Sequence, residues 1–163
     1  LSQAATVFVV PKGRKSIVGS KTPHADVIPL ENGRSADVRG IGVQAAPAYN
    51  ILGRDPSGTP YHMKGADNGY LLDFQGFRVY VAGDTEKTRE MEKLGTIDVA
   101  FLPILKPYCM DELAVVEALK TIRPRVFYPY HYANPFTGAR GDVSSVAKRA
   151  GELGIETRVV RIY

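Results

Sequence analysis

Residues 69–85, GYLLDFQGFRVYVAGDT, constrain the fold of this chain more than any other stretch. Leu71, Asp73, Phe77, Val79 and Val81 carry a strand signal, and Gln75-Gly76 marks a turn between two runs. The second run halts at Gly83-Asp84-Thr85. A carboxylate at the end of a buried strand is where α/β proteins place a metal or a catalytic acid. It also suits the cap of a following helix, so spacing alone leaves both roles open for Asp84.

The rest of the chain fits around this hairpin. Apolar and β-branched runs predict strands at 6–10, 26–30, 37–39 and 41–46, with a bulge or turn at Gly40. A turn of helix is predicted within 12–18. From 47 to 68, prolines and glycines break every period, and a loop that long inside a compact domain is usually functional or disordered. It carries Asn50, His62 and Lys64. Beyond the hairpin come a short polar helix at 86–94 and a near-continuous apolar strand at 97–102. An amphipathic helix follows at 111–122, with Leu113, Val116 and Leu119 on one face, then a strand at 126–131. A second helix runs from an Asp142 cap to a Gly154 stop, and a strand at 156–162 closes the chain. Hairpins first and strand–helix alternation later predict an α/β fold with a mixed sheet, and 163 residues suit a single domain over 1–163.

Composition excludes some classes of function. No apolar run approaches the ~20 residues of a membrane span. The net charge of +4 is spread along the chain, whereas a nucleic-acid surface would gather it into a patch. The one cysteine, Cys109, leaves no internal disulfide and is compatible with a cytoplasmic setting. The opening Leu1-Ser2-Gln3-Ala4-Ala5 has neither an initiator Met nor a signal-peptide pattern, and reads as a chain entered in the middle.

Asp84 and His131 both fall at the carboxyl ends of predicted buried strands, and parallel pairing would bring the two tips to one rim. His62 in the long loop could fold over it. Asp and neutral His are ordinary ligands of zinc and related divalent ions, and three protein ligands plus water make a catalytic zinc site. The bound water is then the nucleophile. Each residue has a plainer role open to it. His131 also fits a hydrogen-bonded strand end, and His62 a surface loop. Cys109 fits a soft ligand or, more simply, a packing thiol at a helix entry. Tyr128, Tyr130 and Tyr132 share one strand face, which core packing explains. Lys64 and Arg54 suit an anionic substrate or an exposed loop. His24, in a turn beside Pro23, is assigned no role.

Together the motifs resemble the metallo-β-lactamase superfamily. The resemblance rests on Ala45-Ala46-Pro47-Ala48-Tyr49-Asn50, Tyr61-His62-Met63-Lys64-Gly65, Asn68-Gly69-Tyr70 and the run from Arg78 to Thr85. The run from Ile97 to Ile104, Met110-Asp111 and Pro129-Tyr130-His131-Tyr132 complete it. It spans nearly the whole chain and looks most like the ascorbate-6-phosphate lactonase type of small metal-dependent hydrolase. It implies an αββα sandwich with a metal site on one edge of the sheets. Asp84 then matches the aspartate that bridges two metals, zinc or in this branch sometimes manganese. His131 matches the last histidine ligand. His62 lies where relatives of this branch keep a histidine near the site, as a ligand or as a group assisting the substrate. Asn50 stands where many relatives carry a histidine.

The family's His-x-His-x-Asp-His signature is not in this sequence, which has three histidines in all. A two-metal centre cannot be built from them alone. The expectation is therefore a sandwich incomplete at its N-terminus, roughly the carboxyl-terminal two-thirds of the family fold, with one sheet face left uncovered. Two functional readings follow. One is a metal-dependent hydrolase of a small-molecule ester, lactone or phosphodiester, with Asp84 and His62 as catalytic residues and Asp84, His131 and His62 at the metal. The other is a truncated or degenerate domain, without catalysis, that packs against a missing N-terminal polypeptide or another protomer. A nuclease of the same fold ranks below both.

Overall fold

The computed structural model describes residues 6–160, which form two sheets. β1 (Val7–Pro11) and β2 (Asp26–Leu30) pair in parallel, and helix α1 (Lys15–Lys21) crosses between them against β2. Seven further strands follow chain order across one mixed sheet. They are β3 (Ser35–Val38), β4 (Ile41–Ala48), β5 (Asp67–Phe74), β6 (Phe77–Val81), β7 (Val99–Pro103), β8 (Val126–Tyr130) and β9 (Glu156–Thr157). Neighbours are antiparallel from β3 to β6 and parallel from β6 to β9.

The connections explain that split. Arg39-Gly40 joins β3 to β4 and Gln75-Gly76 joins β5 to β6, and all four residues have positive φ. That is the two-residue turn whose twist matches a hairpin. Parallel neighbours need longer crossovers. Helix α2 (Glu112–Ile122) bridges β7 to β8, and α3 (Val143–Glu152) bridges β8 to β9. The Asp111 carboxylate accepts the Ala114 N–H at 2.9 Å and that of Asp142 accepts the Ser145 N–H at 2.9 Å, so each helix starts on a side-chain cap. Arg123, in the left-handed region just before Pro124, ends α2.

Both helices lie on one face of the large sheet. Leu71, Tyr80, Ala100, Leu102 and Phe127 point to that side and pack with Val115, Leu119 and Val146 of the helices. Each large side chain buried this way contributes roughly 1.5–3 kcal/mol. The opposite face is covered at β3–β5 by the small sheet, where Leu30, Val9 and Ile28 meet Val43 and Ala45. The layers therefore run helices, large sheet, small sheet, helix.

Several elements differ from the sequence pattern. Pairing with β5 carries β4 past Pro47 to Ala48 and starts β5 at Asp67, so the intervening loop shortens to 49–66. Proline's fixed φ is compatible with the extended chain. The expected helix at 86–94 is only a 3-10 segment, Arg89–Lys93. Glu86 is tied instead to the 51–53 loop, and Thr88 is extended, which delays the start. Leu113 is exposed, because the inner stripe of α2 is centred on Val115, Leu119 and Ile122. Strand β9 stops at Thr157 rather than running to 162, having a partner on one side only. Residues 161 and 162 of that expected strand lie outside the described residues.

Gly69 is a tight point in this sheet. A Cβ added there would meet the carbonyl oxygen of Ala82. Gly69→Ala is expected to destabilise the fold by about 1–3 kcal/mol, as overpacking of a filled site does. Denaturant unfolding of the variant checks this.

Candidate functional site

Three neighbouring parallel strands deliver the site. β6 continues through Ala82, whose N–H donates to the Phe101 carbonyl at 3.0 Å, into Gly83 and Asp84. Gly83 has φ +71, and a Cβ on it would lie 2.8 Å from the Asn68 carbonyl oxygen, so the position excludes a side chain. The Tyr130 hydroxyl donates to the Gly83 carbonyl and fixes the tip from the β8 side. Burial, then the charge of Asp84, push the Tyr130 phenol up, which keeps it a donor. His131 follows at φ +46, a left-handed conformation that costs about 1–3 kcal/mol in a residue with a Cβ. It reverses the side-chain alternation. Tyr128 and Tyr130 stay on the face away from the helices, whereas Tyr132 packs against the helix-side core. The three tyrosines therefore do not share a face, and Tyr128 stacks on Phe101 with ring centroids 4.8 Å apart.

The two tips are separated by β7, two strand spacings or roughly 10 Å. The side chains close that gap. His131 Nδ1 lies 2.9 Å from Asp84 Oδ1. Between them, from the loop that leaves β7, comes Cys109, with Sγ 3.7 Å from the same Nδ1. The three ligand atoms lie within 4.8 Å of one another. Burial, then the charge of Asp84, push the Cys109 thiol up. A carboxylate oxygen, an imidazole nitrogen and a sulfur gathered so closely are donors that fit a divalent transition ion.

His62 approaches from the long loop. Its Nε2 is 3.8 Å from Asp84 Oδ2 and its Nδ1 is 3.8 Å from Asp67 Oδ2. Asp67 in turn lies 3.5 Å from Arg14. The backbone of His62 is held by Asn50, whose Oδ1 accepts the His62 N–H at 2.8 Å and whose own N–H donates to the His62 carbonyl at 2.9 Å. Asn50 is only 6% exposed, and its Nδ2 also donates to the Tyr108 carbonyl at 2.9 Å. It serves here as a strut for the loop.

The loop has a second anchor. The Glu86 carboxylate accepts the N–H groups of Ile51, Leu52 and Gly53 at 2.9, 2.8 and 2.6 Å. Burial raises its pKa, but these bonds and the one from Asn50 outweigh burial and hold it below the usual carboxylate range. Lys64 pairs with Glu90 at 2.7 Å and lies over the Tyr49 ring. Arg54 donates to the Gly58 carbonyl and faces a cavity of about 500 Å³. Ile51, Leu52, Lys87, Lys106 and Met110 also line that cavity, and Cys109 stands on its wall. His24, in the turn before β2, is not part of the cluster.

The structure thus brings Asp84, His131 and His62 to one rim. The sequence pattern misses Asp67, which it leaves in a loop, and gives no sign that Cys109 lies beside Asp84 and His131. A signal for Asp67 exists in the sequence: it stands two residues before Gly69 at the start of the organising hairpin.

Comparison with known proteins follows the same lines. A family model described as a beta-lactamase superfamily domain matches residues 7–131. A Thermoplasma acidophilum protein named UPF0173 metal-dependent hydrolase is 32% identical over 82% of this chain and 58% of its own length. A Methanosarcina mazei protein of the same name is 30% identical over 80% of this chain and 57% of its own. The chain therefore spans less than two thirds of the length of these curated relatives. Among solved structures, a Parabacteroides distasonis protein whose name proposes a metal-dependent hydrolase superimposes with a TM-score of 0.81 at 31% identity. It is matched over 97% of this chain and 66% of that one. Igni18, a metallo hydrolase from Ignicoccus hospitalis, gives a TM-score of 0.72 at 28% identity, over 94% and 64%.

The Glu86 anchor has a pH signature. A carboxyl whose folded pKa is depressed contributes stability that is present above its unfolded pKa and lost as pH falls through the folded one. Glu86→Ala is expected to cost about 1–3 kcal/mol at neutral pH, since it strips three loop N–H groups of a charged acceptor. The difference from wild type should shrink below the ordinary glutamate range, about pH 4. Urea unfolding of both proteins across that range checks it.

Proposed function

The chain belongs to the metallo-β-lactamase superfamily, and on that premise we propose that the protein carrying it is a metal-dependent hydrolase of small molecules. The observation that carries the reading is the 2.9 Å approach of Asp84 and His131 from the ends of two strands that do not touch. A buried pair built only for stability gains little over apolar packing. A pair at an open rim beside a cavity has room for an ion and a ligand.

In this reading Asp84 and His131 hold a divalent ion, zinc in preference to manganese, with His62 at its edge. Such an ion would supply Lewis acidity and a water-derived nucleophile usable near neutral pH, chemistry suited to an ester, lactone or phosphodiester. Asp84 places its second oxygen toward His62. His62, with its other nitrogen facing Asp67, is oriented to pass a proton to the leaving group. The cavity beside Cys109 holds the rest of the substrate, with Ile51, Leu52 and Met110 against its apolar part and Arg54, Lys87 and Lys106 near any anionic group. The setting proposed is the cytoplasm. No helix among the described residues is long and apolar enough to cross a membrane, and the single thiol fits a reducing compartment.

One observation favours a second reading. The face of β6–β8 away from the helices carries Val79, Val81, Phe101 and Tyr128, which are only partly buried. That face suits another polypeptide, an N-terminal segment or a second protomer. A domain that only packs would use the face and leave Asp84 and His131 without an ion.

Metal content separates the two readings. In the complete protein, Asp84→Ala and His131→Ala are each expected to lower bound metal at least about tenfold, with hydrolysis lost in parallel. Elemental mass spectrometry measures this. Equal metal in wild type and both variants would overturn the hydrolase assignment.

A further inference from the structure

We infer that Cys109 is a third, sulfur ligand of the ion held by Asp84 and His131, and that it sets the site's preference for zinc over manganese. The inference rests on the metal reading above and adds a donor to it.

Three observations support it. The first is placement. Asp84, Cys109 and His131 follow β6, β7 and β8, three consecutive strands of the sheet, so the thiol comes from the one tip lying between the other two. The turn that presents it is closed by the Cys109 N–H donating to the Leu105 carbonyl at 2.8 Å. The second is surroundings. Cys109 is 2% exposed, yet it belongs to neither apolar cluster, whereas the adjacent Met110 and the nearby Ile104 both lie in the main core. A packing thiol would sit among such neighbours. This one is turned to an imidazole and a carboxylate.

The third is geometry. Zinc bond lengths of about 2.0–2.3 Å at a tetrahedral angle place two ligand atoms roughly 3.5 Å apart. Cys109 Sγ and His131 Nδ1 are 3.7 Å apart. A cysteine–histidine–aspartate relay would use both ring nitrogens, one facing the nucleophile and the other the carboxylate. Here sulfur and carboxylate oxygen converge on the same Nδ1. Three donor atoms within 4.8 Å of one another can share one ion, the 2.9 Å Asp84–His131 contact opening slightly to admit it. The convergence on Nδ1 disfavours Cys109 as a nucleophile activated by His131.

The consequence is selectivity. Thiolate is a soft ligand that binds zinc and cobalt well and manganese poorly. As the ion enters, the thiol proton leaves to solvent and the sulfur lone pair forms the new bond. A site of Asp84 and His131 alone would offer only the harder donors.

Cobalt substitution in the complete protein tests this. Metal is removed with a chelator, and cobalt, zinc or manganese is added back to wild type, Cys109→Ser, Cys109→Ala and Asp84→Ala. Wild type is expected to show a sulfur-to-cobalt charge-transfer band in the near ultraviolet, absent from both Cys109 variants. Zinc affinity should fall at least about tenfold in Cys109→Ser, while manganese affinity stays within about twofold. Absence of the band in wild type that has bound cobalt overturns the inference without reference to any variant, whereas wild type that binds no added metal overturns the metal reading itself. So does a band that survives in Cys109→Ser, or zinc affinity unchanged in both Cys109 variants. If Asp84→Ala binds metal as wild type does, the underlying metal reading fails instead, and the two failures are told apart.

Discussion

The contact between Asp84 and His131 sets the terms for this end of the molecule. The two residues leave strands that are not neighbours, so the contact exists only if β6, β7 and β8 run parallel and end at one level. Parallel strands in turn require crossovers, and crossover helices must be seated on the sheet. α2 and α3 meet that need on one face, through Leu119, Val115 and Val146 against Tyr80, Leu102 and Phe127. The opposite side of each strand is then free to end in polar residues. A core of apolar side chains and a rim of polar ones are consequences of the same alternation.

Local chemistry finishes what the topology begins. Gly83 permits a turn that a side chain would block, and Tyr130 pins that turn with one hydrogen bond. His131 adopts a conformation that costs energy and persists because Tyr130 and Tyr132 on either side of it are fixed. The loop above the rim is held from two directions. Asn50 grips the backbone of His62, and Glu86 collects the N–H groups of residues 51–53. Lys64 is drawn to Glu90 rather than into the site, so the cations nearest the cavity are Arg54, Lys87 and Lys106.

Much of this is legible in the sequence, and the gaps have physical causes. The central hairpin, the buried strands and both amphipathic helices follow from periodicity and turn residues, because burial on one face imposes a period. Asp84 and His131 stand out as polar residues at the ends of apolar runs. Cys109 does not, since a thiol in a loop carries no periodic signal and only the fold sets it between Asp84 and His131. Asp67 is obscured because strand pairing with Ala48 overrides the proline and glycines around it. The 3-10 segment at Arg89–Lys93 replaces a helix because Glu86 bonds to residues more than thirty positions away, an interaction that local propensity cannot register. Tyr132 changes face because of a single positive φ at His131.

The rim also explains how the two sheets are joined. Arg14, from the small-sheet side, lies 3.5 Å from Asp67 at the start of β5, and Asp67 lies 3.8 Å from His62. His62 reaches Asp84 at 3.8 Å, and Asp84 reaches His131 at 2.9 Å. Acids alternate with a guanidinium and imidazoles along this row. Each carboxylate has a partner on both sides, and each histidine next to Asp84 presents a nitrogen to it. Asn32 runs alongside, donating to the Asp67 carbonyl at 3.0 Å and to the Asn68 side chain at 2.7 Å, so β2 is tied to β5 where the row begins. Exposed ion pairs contribute little on their own. Linked through backbone-anchored residues, these connect the small sheet to the strand tips of the large one that carry Asp84 and His131. A divalent ion among Asp84, Cys109 and His131 would bind at the far end of that row.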